Sequence, residues 1–310
     1  MQDFFTPAPG VPGAWSTFVD EVRAFERRIG FDATDNFLDL SNEHYSYSFC
    51  GYASHLTLPY SYEDPAIRWR ESLTEPDCRA LGDGADVYFG TVEALGEIGT
   101  AVTPSMMNSK LDRFLYVVIH EDCHDQFELP YGIEEALCNL ITYKTMAAFS
   151  DEKFGSRARE DRAIRRYADV ESQRTRATIG HYEQLAMLYA RYERKELSAD
   201  TLLRERARLF SRAERDLAWK KGPLNNVGIA SDMTYSRHYP FLESAFDALG
   251  RDLARTVAFF RHVDRIKPSR AAVMKERKLA TEESLEFIRA YEAAVVETIR
   301  KALTDTRMTR

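Results

Sequence analysis

The sequence predicts a mainly α chain with a small β element near the N-terminus, an α+β fold. Three observations carry that reading. From Leu111 onward, amphipathic segments at helical spacing follow one another with only short Pro and Gly breaks. Residues 36–62 concentrate aromatic and β-favouring side chains. No repeat or low-complexity linker divides the 310 residues, so the chain reads as a single domain, long enough to bury a core.

The elements follow in order. Residues 1–14 hold three prolines and two glycines and read as an irregular arm. Residues 15–29 read as a helix, with Phe18, Val19, Val22, Phe25 and Ile29 near one face. Residues 15–110 form a mixed α/β subregion. Tyr45, Tyr47, Phe49, Tyr52, Leu56 and Leu58 suggest short strands, residues 63–84 a helix with turns, and Asp86 to Gly90 one buried strand. Leu111 to about Phe127 is helical until Pro130 and Gly132 break it, and Ile133 to Phe149 begins the next helix. Residues 156–195 and 199–219 read as long charged helices, ended by Gly222-Pro223. Helices near 240–263 and 279–304 finish the chain, so that 111–265 is a helical region and 266–310 a C-terminal helix.

Composition narrows the function. A net charge of −7, with 44% apolar and 29% charged residues, suits a soluble domain and argues against nucleic-acid binding. The basic run from Arg157 to Arg176 is interleaved with acids and reads as a solvated helix face. The N-terminus lacks the pattern of a secretory signal, and no stretch reaches the roughly 18 to 20 apolar residues of a membrane span. The expectation is therefore a cytoplasmic protein without a membrane partner. Cys50, Cys78, Cys123 and Cys138 match no CxxC spacing. In a cytosolic chain they are expected to stay free.

The chemistry is concentrated in Phe114-Leu-Tyr-Val-Val-Ile-His120-Glu121-Asp122-Cys123-His124. Residues four apart share a helix face, so both imidazoles reach one metal ion. Glu121, one step round the helix, faces a water on that metal as general base. This is the logic of an HExxH site. With seven histidines in the chain, a chance match is expected on the order of one time in a hundred. The preceding apolar run argues that the helix is buried, where unpartnered histidines and a glutamate would be costly.

A catalytic zinc usually has three protein ligands. Gly132-Ile-Glu134-Glu135-Ala-Leu-Cys138-Asn139 offers two carboxylates just after a turn, on a second helix expected to pack against the HExxH helix. Asn139 lies four residues after Glu135, on the same face. From there it can accept from the free nitrogen of His120, the support that metal-bound imidazoles usually need. That favours Glu135 as the third ligand over Glu134, which reads as an ordinary helix N-terminal acid. One Zn2+ per chain is expected. The same ligands can hold ferrous iron in other geometries. His44, His55, His181 and His262 show no ligand spacing and read as incidental.

HExxH followed by a glutamate-bearing helix resembles the gluzincins, typified by thermolysin-like peptidases. More closely, the chain is similar to a bacterial family of predicted zinc-dependent aminopeptidases. Three blocks carry the likeness: Asp86-Val-Tyr-Phe-Gly-Thr-Val-Glu-Ala-Leu-Gly-Glu-Ile-Gly-Thr100, His120 to Asn139, and Leu224-Asn225-Asn226 followed by Thr234-Tyr235. With the Leu188-Tyr189 helix between, it runs from about residue 20 to 265. Members of that family often begin with a lipoprotein-type export signal, and this chain does not. Their Trp/Pro/Gly/Tyr-rich stretch reads Leu58-Pro-Tyr-Ser-Tyr-Glu63 here, and the serine-threonine turn of the first block reads Leu95-Gly-Glu97. These departures bear on the substrate more than on the metal.

The resemblance implies metal-assisted hydrolysis of a peptide or small amide-containing substrate. Zinc lowers the pKa of its water towards ~7, and Glu121 moves the proton. The oxyanion needs a further donor. The third block places Tyr235 in that position, with His238 and Tyr239 as alternatives. Asn225 and Asn226 either cap a helix or bind substrate polar groups. Glu97 either recognises a substrate amino group or is an exposed turn acid. The competing reading is a metal-dependent enzyme acting on a small metabolite with the same two-His-one-Glu site. A groove running past the metal favours a peptide, and a closed pocket favours a metabolite.

Overall fold

The computed structural model describes residues 14–71, 73–96, 98–220 and 222–308. The arm expected over 1–14 lies outside these except for Ala14, which already opens the first helix. That helix, α1 (Ala14–Arg28), turns Phe18, Val19, Val22 and Phe25 into the core, as its spacing requires.

The β element is a three-stranded antiparallel sheet of β1 (Tyr47–Ser54), β2 (Arg68–Glu71) and β3 (Ala85–Val92), in the order β2-β1-β3. β1 and β3 pair along their whole length, from Tyr47 opposite Val92 to Ser54 opposite Ala85. β2 escapes the sequence pattern because Arg-Trp-Arg-Glu shows no apolar alternation; its pairing with Phe49–Tyr52 makes it a strand. The short helix α2 (Glu75–Arg79) starts at a Thr74 cap.

The expectation of free cysteines is overturned at this corner. Cys50 of β1 and Cys78 of α2, both fully buried, form a disulfide that closes a separation of 28 residues. Sequence spacing gave no sign of it, because the strand and the helix are brought together only by the fold. Cys123 and Cys138 are free and buried.

The rest is helical. α3 (Pro104–Met107) leads into α4 (Leu111–His124), α5 (Tyr131–Phe154), the long α6 (Arg159–Glu193) and α7 (Ala199–Asp216). α8 (Asn226–Ser236) and α9 (Tyr239–Ala248) follow, then α10 (Leu253–Ile266), α11 (Arg270–Arg277) and α12 (Leu285–Met308). The helix expected near 240–263 is two helices, separated where Gly250 and Arg251 take positive φ and Asp252 caps α10. The expected C-terminal helix is likewise divided, α11 ending at a left-handed Lys278.

α4 and α5 are buried on nearly every side, which suits central helices. Phe114, Leu115, Val118 and Ile119 of α4 pack with Ile133, Leu137, Leu140 and Ile141 of α5 in the main core. A second core joins α6, α7 and α8 through Leu185, Leu202, Phe210 and Met233. A third seats the sheet on α8 through Ala53, Tyr88, Val227 and Ala230. Buried Asp86 of β3 locks these parts together. It takes two bonds from Arg206 of α7, at 2.6 and 2.9 Å, and one from the Asn226 backbone N–H at 3.0 Å. Among the described residues no helix is long and apolar enough to cross a membrane.

Candidate metal centre

The last turn of α4 and the first turns of α5 meet in a polar island inside the main core. His120, His124 and Glu135 are 4%, 9% and 4% exposed, so their polar atoms must find partners within the protein. They find one another. His120 Nε2 lies 3.2 Å from Glu135 Oε2 and 3.3 Å from His124 Nε2, which lies 3.4 Å from Glu135 Oε2. Ligands at the corners of a tetrahedron around zinc, ~2.0–2.1 Å from the ion, stand about 3.3–3.4 Å apart. The three edges match that spacing, so the donor set fits a metal ion bound by two imidazoles and one carboxylate.

Burial alone would press His124 towards its neutral form. Glu135 and Glu134 outweigh burial and hold the imidazole well above the ordinary histidine range. Burial likewise works against the Glu135 carboxylate, but His124 and His120 overcome it and keep that carboxyl far below its usual range.

Glu134 does not join the triangle. Its Oε1 meets His124 Nδ1 at 2.8 Å, and its Oε2 accepts from the Leu129 N–H at 2.8 Å. It therefore fixes the His124 ring from behind. Asn139 was expected to do this for His120, and the structure differs. Asn139 Oδ1 accepts from the Tyr116 hydroxyl at 2.7 Å, and His120 Nδ1 has no hydrogen-bond partner among the described residues. Tyr116, one turn before His120, lies over that imidazole with centroids 5.1 Å apart and planes at 16°. It takes the amide and supports His120 by stacking instead.

Glu121 opens on a cleft of about 820 Å³ that also reaches His120 and Tyr235. Its Oε2 accepts the Gly96 N–H at 2.7 Å. Burial raises the Glu121 carboxyl above its usual value, against the pull of His120 and His124. The Tyr235 ring lies 6.3 Å from that of His120. Burial, then Glu135, keep its hydroxyl firmly protonated. Tyr131 completes the surroundings, its hydroxyl pushed well above the ordinary phenol range by burial and then by Glu135.

The other residues singled out in the sequence take up different places. Asn225 caps α8, accepting from the Gly228 N–H at 3.0 Å and donating to the Val87 carbonyl at 2.7 Å. The Asn226 amide donates to the Thr57 carbonyl at 2.8 Å and to Tyr189 Oη at 2.5 Å, so both asparagines serve the fold. His238 approaches Glu292 at 3.1 Å. Tyr239 is wholly buried, its hydroxyl on Ser172. Neither His238 nor Tyr239 lines the cleft. Glu97 lies outside the described residues.

Sequence reasoning missed Gly96, Tyr116, Tyr131 and the role of Glu134. Tyr116 and Tyr131 stand four residues before His120 and Glu135, and the rule that paired the histidines would have found them. Nothing local marks a Gly96 backbone N–H.

The cleft runs beneath β3, whose Tyr88 to Val92 line it. Its wall charges are compensated, with Arg113 on Glu93 at 2.5 Å and Arg174 on Asp232 at 2.9 Å. Compared with known proteins, residues 38–278 match a family model described as "Putative aminopeptidase". No curated protein and no solved structure matches the chain.

Proposed function

This chain belongs to the family described as "Putative aminopeptidase", and we propose that it is a zinc-dependent peptidase of the gluzincin-like HExxH-plus-glutamate type. The observation that carries the reading is the triangle of His120 Nε2, His124 Nε2 and Glu135 Oε2, with His120 and Glu121 together lining one cleft.

A zinc ion held by His120, His124 and Glu135 would acidify water and polarise the scissile carbonyl. Glu121 has one oxygen committed to Gly96, which leaves Oε1 to take the proton of the attacking water and pass it to the leaving amine. Its raised pKa brings it closer to the working pH of such a base. Tyr235 donates its hydroxyl proton in a hydrogen bond to the developing oxyanion. Glu134 keeps His124 in the tautomer that presents Nε2.

The shape of the cleft favours a peptide over a compact metabolite. β3 is an edge strand, pairing among the described residues only with β1, and its cleft-lining stretch offers an extended chain backbone partners. Of the site residues, Glu121 and Tyr235 carry the chemistry, and His120, His124 and Glu135 hold the metal.

Elemental mass spectrometry of the wild type, His124→Ala and Glu135→Ala tests the reading, alongside hydrolysis of aminoacyl 4-nitroanilides and of the same compounds acetylated at the amine. Near one zinc per chain in the wild type, lost in both variants, with hydrolysis only of the free amines, is the expected result. A wild type that takes up no metal after reconstitution, or binds it and cleaves no amide, overturns it.

A further inference from the structure

Glu121 is gripped at two points by a single polar circuit. Its side-chain Oε2 accepts the Gly96 N–H at 2.7 Å, and its backbone carbonyl takes a long third share, at 3.4 Å, of the Asn36 Nδ2 group, whose two hydrogens go chiefly to Asp122 and Asp125. The two donors are joined to each other. Asn36 Oδ1 accepts the Thr100 N–H at 3.1 Å, and Thr100 Oγ1 accepts the Leu95 N–H at 3.3 Å, one residue before Gly96. Asn36 is wholly buried and also holds Asp122 Oδ1 of α4 at 3.0 Å and, just past its end, Asp125 Oδ2 at 2.8 Å. Gly96 must be glycine for the loop to come this close. A Cβ there would stand 2.7 Å from the Glu121 carbonyl oxygen and 2.9 Å from His124 Cβ.

We propose that Asn36, Thr100 and Gly96 form the positioning device of Glu121, fixing one carboxylate oxygen so that the other meets the water. Asn36 and Gly96 touch no reacting atom, and their effect passes through Glu121. The inference rests on the proposed role of Glu121 as base. The circuit itself can be detected without activity.

The test uses the full chain labelled with 15N-glycine, as wild type, Asn36→Ala, Gly96→Ala and Glu121→Gln, with zinc content, thermal unfolding and aminoacyl 4-nitroanilide kinetics measured on each. The Gly96 amide signal is expected downfield in the wild type and moved in Glu121→Gln and in Asn36→Ala. Asn36→Ala should keep zinc and KM while kcat falls on the order of 10- to 100-fold, the loss that a misplaced group brings, whereas Gly96→Ala, whose Cβ meets both the Glu121 carbonyl and His124 Cβ, should lower kcat at least as far and weaken zinc binding as well. Asn36→Ala with an unmoved Gly96 signal, or with wild-type kcat, overturns the proposal. A fully active Glu121→Gln defeats the assignment of the base instead, and the Gly96 signal then decides the circuit alone.

Discussion

Glu134 Oε1 stands 2.8 Å from His124 Nδ1, the nitrogen turned away from the metal triangle. A carboxylate there fixes the ring and its tautomer and raises its basicity as a ligand. Glu134→Ala is therefore expected to weaken zinc binding by about 10- to 100-fold without removing a ligand. Glu134→Gln keeps one acceptor for two donors, His124 and the Leu129 N–H, and should fall between. Chelator competition measures both. Wild-type affinity in Glu134→Ala would show that the carboxylate only caps α5.

The metal-free and metal-bound forms should respond to pH in opposite senses. Without metal, His124 is held protonated by Glu135 and Glu134, and Glu135 is held ionised by His124 and His120, in each case against burial. A raised histidine stabilises the fold below its unfolded value of ~6.5, and that contribution is lost as pH rises through the folded value. A lowered glutamate stabilises above ~4.3 and loses its contribution as pH falls. The pair thus supports the metal-free protein best between about pH 4.5 and 6.5. Zinc needs a neutral imidazole, so affinity should rise from pH 6 to 8 with release of about one proton. Calorimetry in buffers of different ionisation enthalpy reads that proton. A pH-independent affinity would contradict the protonated His124.

Tyr235 has a hydroxyl kept protonated by burial and by Glu135, beside the His120 ring. If it serves the oxyanion, Tyr235→Phe should lower kcat about 10²- to 10³-fold, the cost of removing one such donor. KM and zinc content should stay near wild type. A drop confined to KM would make it a substrate contact.

What the sequence disclosed and what it hid divide along the range of the interactions. His120 and His124 are four apart on one helix, and Glu135 follows a turn marked by Pro130 and Gly132, so short-range rules located all three. Those rules also put Asn139 on the right face, but not its partner, since Tyr116 competes for the amide from the neighbouring helix. β2 became a strand only through its partner, and Gly96 reaches Glu121 as a backbone donor from 25 residues away. The left-handed end of α11 at Lys278 lacked the glycine that usually announces such a φ.

The Cys50–Cys78 bond was hidden for the same reason, and it undercuts the cytoplasmic expectation, because buried disulfides persist mainly in oxidising compartments. It staples β1 to α2, whose Glu75 and Arg79 line the cleft, so it acts on the roof of the site and not on its metal. Closing a loop of this length is worth about 3 to 4 kcal/mol by chain entropy. The double variant Cys50→Ser/Cys78→Ser is expected to unfold that much more easily, to keep its zinc, and to bind peptide substrates with a raised KM. Intact mass before and after alkylation, with and without reductant, reports the bond directly. Four alkylated cysteines in unreduced, denatured protein would show that it does not form.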